Sequence, residues 1–486
     1  MSPAERVSRR TVIAAAACVP ALSGCDRALS WLSDSLGGGL PKAFEAPALD
    51  VVDETQHLLA RTSFGVWPGD WERAKRMGKQ AYLDEQLEPS AIDDAACDVR
   101  AGAIDVVHLG EGLFELPSDQ IEIQLARHAL LRACYSKRQL QEVMVELWSD
   151  HFHIAIGKSL CQKLLPLHDR DVIRQHALGN FRELLSATAT SPAMLVYLDG
   201  RDNKQENDSV RPNENYAREL LELHTMGVRG GYTQADVMEA ARCLTGFVVR
   251  EEWAPGLVEF VPERHDSGEK RVLGETIRSG GGRSDLDRLL DILAAHPRTA
   301  EHVSRKIAAT FVDDDPPETL VAAAAATFTA SRGDIRAVLR TVLESEAFDQ
   351  HKRSKIKRPF RFVVSALRAL GADTHAKGAL LSWLGRMGHA PYGWPTPDGY
   401  PARGEAWLAT LLQRFRFAFE LTSGAIEDTR VDLAHLAEAV CHDNRLAGLV
   451  AHSLGRLPQG SERELFSENA AQTLASTLSS PAFQRY

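Results

Sequence analysis

A mainly α-helical fold, one large multi-helix domain with a single inserted β-hairpin, is what this chain predicts, and three observations predict it. Apolar residues recur at spacings of three and four through most of the 486 residues, as the buried stripe of a helix requires. Ser, Thr, Asp, Asn or Pro stand ahead of many of these runs, where helix starts are expected. Only one stretch, "GFVVREEWAPGLVEFVPERH", carries two β-rich runs around a turn signal, and it reads as a hairpin near 247–260. No fixed-period repeat is present, which argues against a solenoid.

The elements follow in chain order. At the N-terminus, "SRRTVIAAAACVPALSGCDR" places Arg9 and Arg10 before an apolar run and closes it with Leu-Ser-Gly-Cys. The run is too short to cross a hydrocarbon core of about 30 Å as a helix, so residues 1–24 read as a cleaved signal. This pattern resembles a twin-arginine export signal ending in a lipobox, which implies Cys25 as the lipidated first residue of the mature chain. The alternative, a buried N-terminal helix, would set two arginines against an alanine-rich segment with no cap. Residues 1–24 hold three arginines and one glutamate, so their removal takes the net charge from −10 to −12. From 25 to 46 the chain is punctuated by Ser, Gly and Pro and reads as a flexible tether; the domain proper is expected over 47–486.

Helical spacing then predicts helices at 54–63, 68–77, 79–87, 118–134, 137–152, 169–187, 193–199 and 212–226. After these come 233–246, the hairpin, and helices at 284–295, 298–311, 317–331, 334–344, 359–370, 380–387, 405–424 and 433–453. Composition agrees with a sizeable core: 44% of residues are hydrophobic and 25% charged. With 66 Asp and Glu against 56 Lys and Arg, and no basic stripe with interleaved aromatics, nucleic-acid binding is not expected. Cys97, Cys134, Cys161, Cys243 and Cys441 include no CxxC pair, so buried free thiols are expected rather than a zinc cluster or redox motif.

Candidate chemistry is concentrated in three places. In "RPNENYARELLELHTMGV", a helical wheel puts His224 on the apolar face with Ala217 and Leu220, and Arg218 with Glu222 on the outer face. Glu222 and His224 are about 160° apart, so this helix alone cannot hold a metal, and Arg218 and Glu222 read as a surface pair. In "ELWSDHFHI", His151 falls on the apolar face, whereas Glu146, Asp150 and His153 share the polar one. That outer trio suits a divalent metal by its spacing, or is simply solvated helix surface. Two inward imidazoles, His151 and His224, predict a shared pocket with Asn213 and Asn215 at its rim, since a buried ring needs a polar partner; a separate core histidine on each helix is the alternative. In "ERHDSGEK", His265 and Asp266 offer an acid/base pair and Lys270 a cation, unless the segment is a charged surface turn. The loop 389–401, "HAPYGWPTPDGYP", suits a lid or one wall of a cleft.

The blocks "HLLARTSFGVWPGDWERAKRMGKQAYLDEQL", "ELWSDHF", "RPNENYARELLELHTMGVRGGYTQADVMEAARCLTGF", "HDSGEKRVLG", "HPRTAEHVSRKIAATFVDDDPPETLV" and "YGWP", in this order, resemble the bacterial family called domain of unknown function 1800. The likeness runs from His57 to near the end of the chain, with Phe247 where tryptophan is common. It implies an exported protein, with a co-exported protein as a partner, and no established activity.

Two functions fit these features. One is an envelope lipoprotein facing the periplasm or cell exterior that acts as a hydrolase-like enzyme on an exported or cell-wall-associated substrate. His151, His224, His265 and Asp266 would supply acid/base or ligand groups, and Arg218 or Lys270 would stabilise negative charge. The other is a lipid-tethered, non-catalytic binding or assembly partner, favoured by the lack of a nucleophile elbow, P-loop, dinucleotide fingerprint or zinc-protease motif. A divalent metal is the one cofactor the sequence leaves open.

Overall fold

The computed structural model of the chain describes residues 25–205, 211–251, 254–467 and 469–486; the export signal read at 1–24 lies outside them. The tether expected over 25–46 is corrected in its first part, because Cys25–Ser33 is helical and continues into a π-turn, Asp34–Gly38. Polar contacts dock it. Arg100, its side chain 3% exposed, donates to Ser33 Oγ at 2.9 Å and to Asp373 at 2.6 Å, and pairs with Asp34 at 3.3 Å. Ser30 donates to the same Asp373, and Asp26 pairs with Lys377 at 2.6 Å.

Helices dominate the remainder, and the reasons are local. Asp53 caps Glu54–Thr62 by accepting from Gln56 N, and a capping box between Thr233 and Asp236 starts Gln234–Cys243. Pro297 opens Pro297–Phe311 at a position where its missing N–H is no loss. Leu140, Val143, Met144 and Trp148 are buried on one stripe of Gln139–His151, each contributing roughly 1.5–3 kcal/mol by leaving water. This helix is central: Trp148 donates to Ala177 O at 2.9 Å and lies among Phe152 and Phe181.

Some boundaries differ from the helical spacing. The run 169–187 is broken: a π-turn, Asp169–Arg174, precedes a fresh start at Phe181–Ala189, capped by Asn180. The run 433–453 divides into Leu433–Ala439 and Arg445–Leu454, because Val440–Cys441 leaves to pair in parallel with Phe44–Glu45. The expected hairpin is present, Phe247–Val249 against Val258–Phe260 in antiparallel register. A second follows it, Lys270–Val272 against Glu275–Ile277. Its two-residue turn has Leu273 at φ 51° and Gly274 at φ 84°, the left-handed pair a tight hairpin needs.

Cys97, Cys134, Cys161 and Cys243 are buried free thiols, while Cys441 is free and exposed. Among the described residues no helix is long and apolar enough to cross a membrane.

Candidate functional site

A cavity of about 410 Å3 opens beside the end of Gln139–His151, within the size range of small-molecule sites. Its walls come from distant parts of the chain: that helix gives Glu146, Asp150 and His151, Pro297–Phe311 gives Lys306, and 355–361 and 398–403 complete the rim. The 398–403 wall sits tight because Gly399, at φ 74°, rests on the Asp150 carbonyl, where a Cβ would come within 2.2 Å of the oxygen. The loop 389–401 thus contributes a wall through Asp398, Gly399, Tyr400 and Pro401.

The hydrogen bonds assign the His151 tautomer. Its Nε2 lies 3.1 Å from the His224 carbonyl oxygen and must carry the proton to donate there. Nδ1 is therefore the acceptor, and Lys306 Nζ donates to it at 2.9 Å. Among the described residues no carboxylate comes within ion-pair range of Lys306. Burial pulls this lysine down from its ordinary value to about 8, with Asp150 and Asp398 opposing. Its amine is thus neutral in a sizeable fraction at mildly alkaline pH, and neutral amines are bases and nucleophiles.

Around it the imidazoles stay neutral. Burial pushes His151 well below its usual range, and Lys306, His302 and His224 add to the effect. His224 falls to about 3, chiefly through burial, and His302 to about 4 for the same reason. The rings of His224 and His302 stand 6.2 and 6.0 Å from that of His151. His302 and Lys306, four residues apart on one helix, face it together.

The expected pocket is therefore partly assembled. His151 and His224 are neighbours, but only His151 lines the cavity. His224 is wholly buried behind it, with no hydrogen-bond partner for either ring nitrogen among the described residues. Asn213 and Asn215 do not rim the cavity: Asn213 Oδ1 accepts from Asn215 N, and Asn215 Nδ2 donates to Leu198 O and Asp199. They fix the start of Asn215–Glu222, a helix shorter than 212–226. Its last turn loosens, with His224 N donating to Glu219 O at 3.1 Å, so 100° steps no longer hold at residue 224. Arg218 pairs with Glu214 at 2.8 Å rather than with Glu222, which instead accepts from Tyr232.

The outer trio is not a metal centre. Arg358 takes Glu146 at 2.7 Å and Asp150 at 2.6 Å, and burial raises Glu146 against the pull of Arg358. His153 lies beyond the helix end, where Phe152 leaves helical geometry, and its Nε2 faces Trp394 O at 2.8 Å. Among the described residues no three His, Cys, Asp or Glu side chains gather as a metal site would require.

The third constellation is a separate staple and lines none of this cavity. His265 does not pair with Asp266; its Nδ1 faces Thr245 O at 2.9 Å and its Nε2 faces Asp285 at 3.1 Å. Lys270, 1% exposed, reaches the same Asp285 at 2.5 Å and the carbonyls of Asp266 and Gly268. Asp266 is taken by Arg242 at 2.7 Å, which with Lys270 and the Gly268 N–H holds its carboxyl below the usual range against burial. These contacts fasten the second hairpin to the helices at Gln234–Cys243 and Ser284–Ala295.

Sequence reasoning missed Lys306, Lys355, Arg358 and Tyr486, which also line the cavity. Lys306 stands between Arg305 and Ile307 with nothing local to separate it from a surface lysine.

A mainly α-helical body with a lysine-and-histidine cavity defines a class without naming a reaction. The family described as "Protein of unknown function (DUF1800)" matches residues 57–485, and the chain belongs to that family. Searches of curated proteins and of solved structures found no match.

Proposed function

We propose that the chain is an envelope-anchored, hydrolase-like enzyme whose active site is the 410 Å3 cavity and whose substrate is exported or associated with the cell wall. The observation that carries this is Lys306 Nζ, held 2.9 Å from His151 Nδ1 in a cavity wide enough for a small molecule or a chain end. The neutral amine of Lys306 takes a proton from a water or hydroxyl that attacks a carbonyl carbon, and the negative charge forms on the carbonyl oxygen; the rim cations Lys355 and Arg403 are held by Asp314 and Asp315. His151 positions the amine through a ring whose tautomer is set by the His224 carbonyl. The double arginine and closing cysteine of the first 25 residues support the location.

The test is turnover of cell-wall fragments and of simple esters and amides by the purified protein. The expected rate rises with pH through about 8, and Lys306→Met lowers it on the order of 100-fold or more, as loss of a general base does. Turnover undiminished in that variant would refute the assignment. A ligand bound by both proteins but transformed by neither would favour the tethered binding partner.

A further inference from the structure

A second cavity, of about 50 Å3, shares Arg361 and Tyr486 with the first but differs in chemistry. Its lining holds Arg353, Lys357, Arg361, Arg485, His57 and His452, and no Asp or Glu. In a chain of net charge −10, such a concentration of cations without a carboxylate needs a reason.

The arginines are anchored but not neutralised. Arg353 donates to Leu454 O and Ala482 O, Arg485 to Ser354 O, and Arg361 to the carbonyls of Ala60, Arg61 and Ser63. Carbonyl oxygens hold a guanidinium in place without an ion pair, and the carboxylates that act on these arginines, Glu462 on Arg353 and Glu146 on Arg361, stand outside the pocket lining. Lys357 has less. It is 7% exposed, its Nζ lies 3.5 Å from the Phe483 ring centroid, and among the described residues this Nζ makes no hydrogen bond or ion pair. One ring face compensates a buried ammonium only in part. Burial, with Arg353, Arg361 and Arg414, pushes Lys357 well below the usual lysine range; an anion among these groups would oppose that shift.

We propose that this pocket binds a tetrahedral oxyanion of the phosphate class, free or as the end of a phosphomonoester, with Lys357 as its principal ligand. Size agrees with the class. A single water needs about 10–15 Å3 on this scale, so the space takes the equivalent of a few waters and no nucleotide.

The test is calorimetric titration of the purified protein with sodium phosphate near pH 7, against sodium chloride of matched ionic strength, with glycerol 1-phosphate as the monoester arm. Phosphate is expected to bind and to raise the thermal midpoint with concentration, as mass action requires; chloride should do neither. Lys357→Met should weaken phosphate about 10-fold or more through loss of a charge-assisted contact, while Lys306→Met in the larger cavity leaves it within about twofold. Should Lys357→Met fail to fold, Arg485→Gln, at an exposed position, replaces it with an expected loss of about threefold. A phosphate response no larger than that of chloride, or one unchanged in these variants, overturns the proposal. Glycerol 1-phosphate binding as tightly as phosphate identifies a monoester site, and binding about 10-fold weaker identifies a free-anion site.

Discussion

Replacing Lys306 by methionine should reverse the order of stability between neutral and alkaline pH. Held near 8 instead of 10.5, the charged amine costs the fold about 3 kcal/mol at pH 7, at about 1.36 kcal/mol per pH unit; partial exposure to the cavity trims this figure. Between those two values the unfolded chain keeps the proton and the folded chain has lost it. The unfolded state therefore binds more protons, and wild-type stability from this group rises with pH across the window from about 8 to 10.5. Methionine removes the buried charge but leaves His151 Nδ1 without its donor, a loss of about 1–2 kcal/mol. At pH 7 the variant should be the more stable by about 1–2 kcal/mol. Near pH 10 only about 0.8 kcal/mol of that cost remains, because the unfolded amine still largely holds its proton, and the missing hydrogen bond makes the variant the less stable by up to about 1 kcal/mol. Urea unfolding followed by circular dichroism at the two pH values measures both differences. A difference of constant sign and size would refute the burial and the pairing deduced for this lysine.

Three further outcomes follow from the same geometry. Arg358→Met should destabilise by on the order of 3 kcal/mol, because it leaves Glu146 and Asp150 half-buried without the cation that pairs them; urea midpoints will read it, and a loss below about 1 kcal/mol would place both carboxylates in water. His151→Gln and His224→Gln should be non-additive by roughly 0.5 kcal/mol or more, as groups in contact are, so strict additivity in a double-mutant cycle would separate them. Cys25→Ala should release the protein from the membrane fraction or block its processing, and unchanged sedimentation with membranes would exclude a lipid anchor.

Much of the helical framework was legible because apolar stripes such as Leu140, Val143, Met144 and Trp148 repeat within one helix. The second hairpin was hidden: its turn is Leu273-Gly274, and leucine gives no hint that it takes a left-handed conformation. At the site, His151 was legible from its own helix, since an imidazole on an apolar face needs a partner. Its partner was not, because Lys306 comes from a helix begun about 150 residues later, and only packing tells that lysine from Arg305 beside it. Asn213 and Asn215 misled for a related reason. Polar side chains clustered before a helix serve its first turn as readily as a ligand, and here Asn213 accepts from Asn215 N while Asn215 donates to Leu198 O and Asp199.

The scattered origin of the cavity walls has a consequence for when its chemistry begins. A chain emerging from the ribosome displays Lys306 before residues 355–361 and 398–403 exist, and until they pack around it this amine is an ordinary, protonated, hydrated lysine. Reactivity at residue 306 is therefore a property of the finished molecule, acquired at one late moment of assembly. Amine-directed labelling at mildly alkaline pH would then work as a stopwatch for maturation, marking 306 faster than surface lysines only in molecules whose last wall has closed.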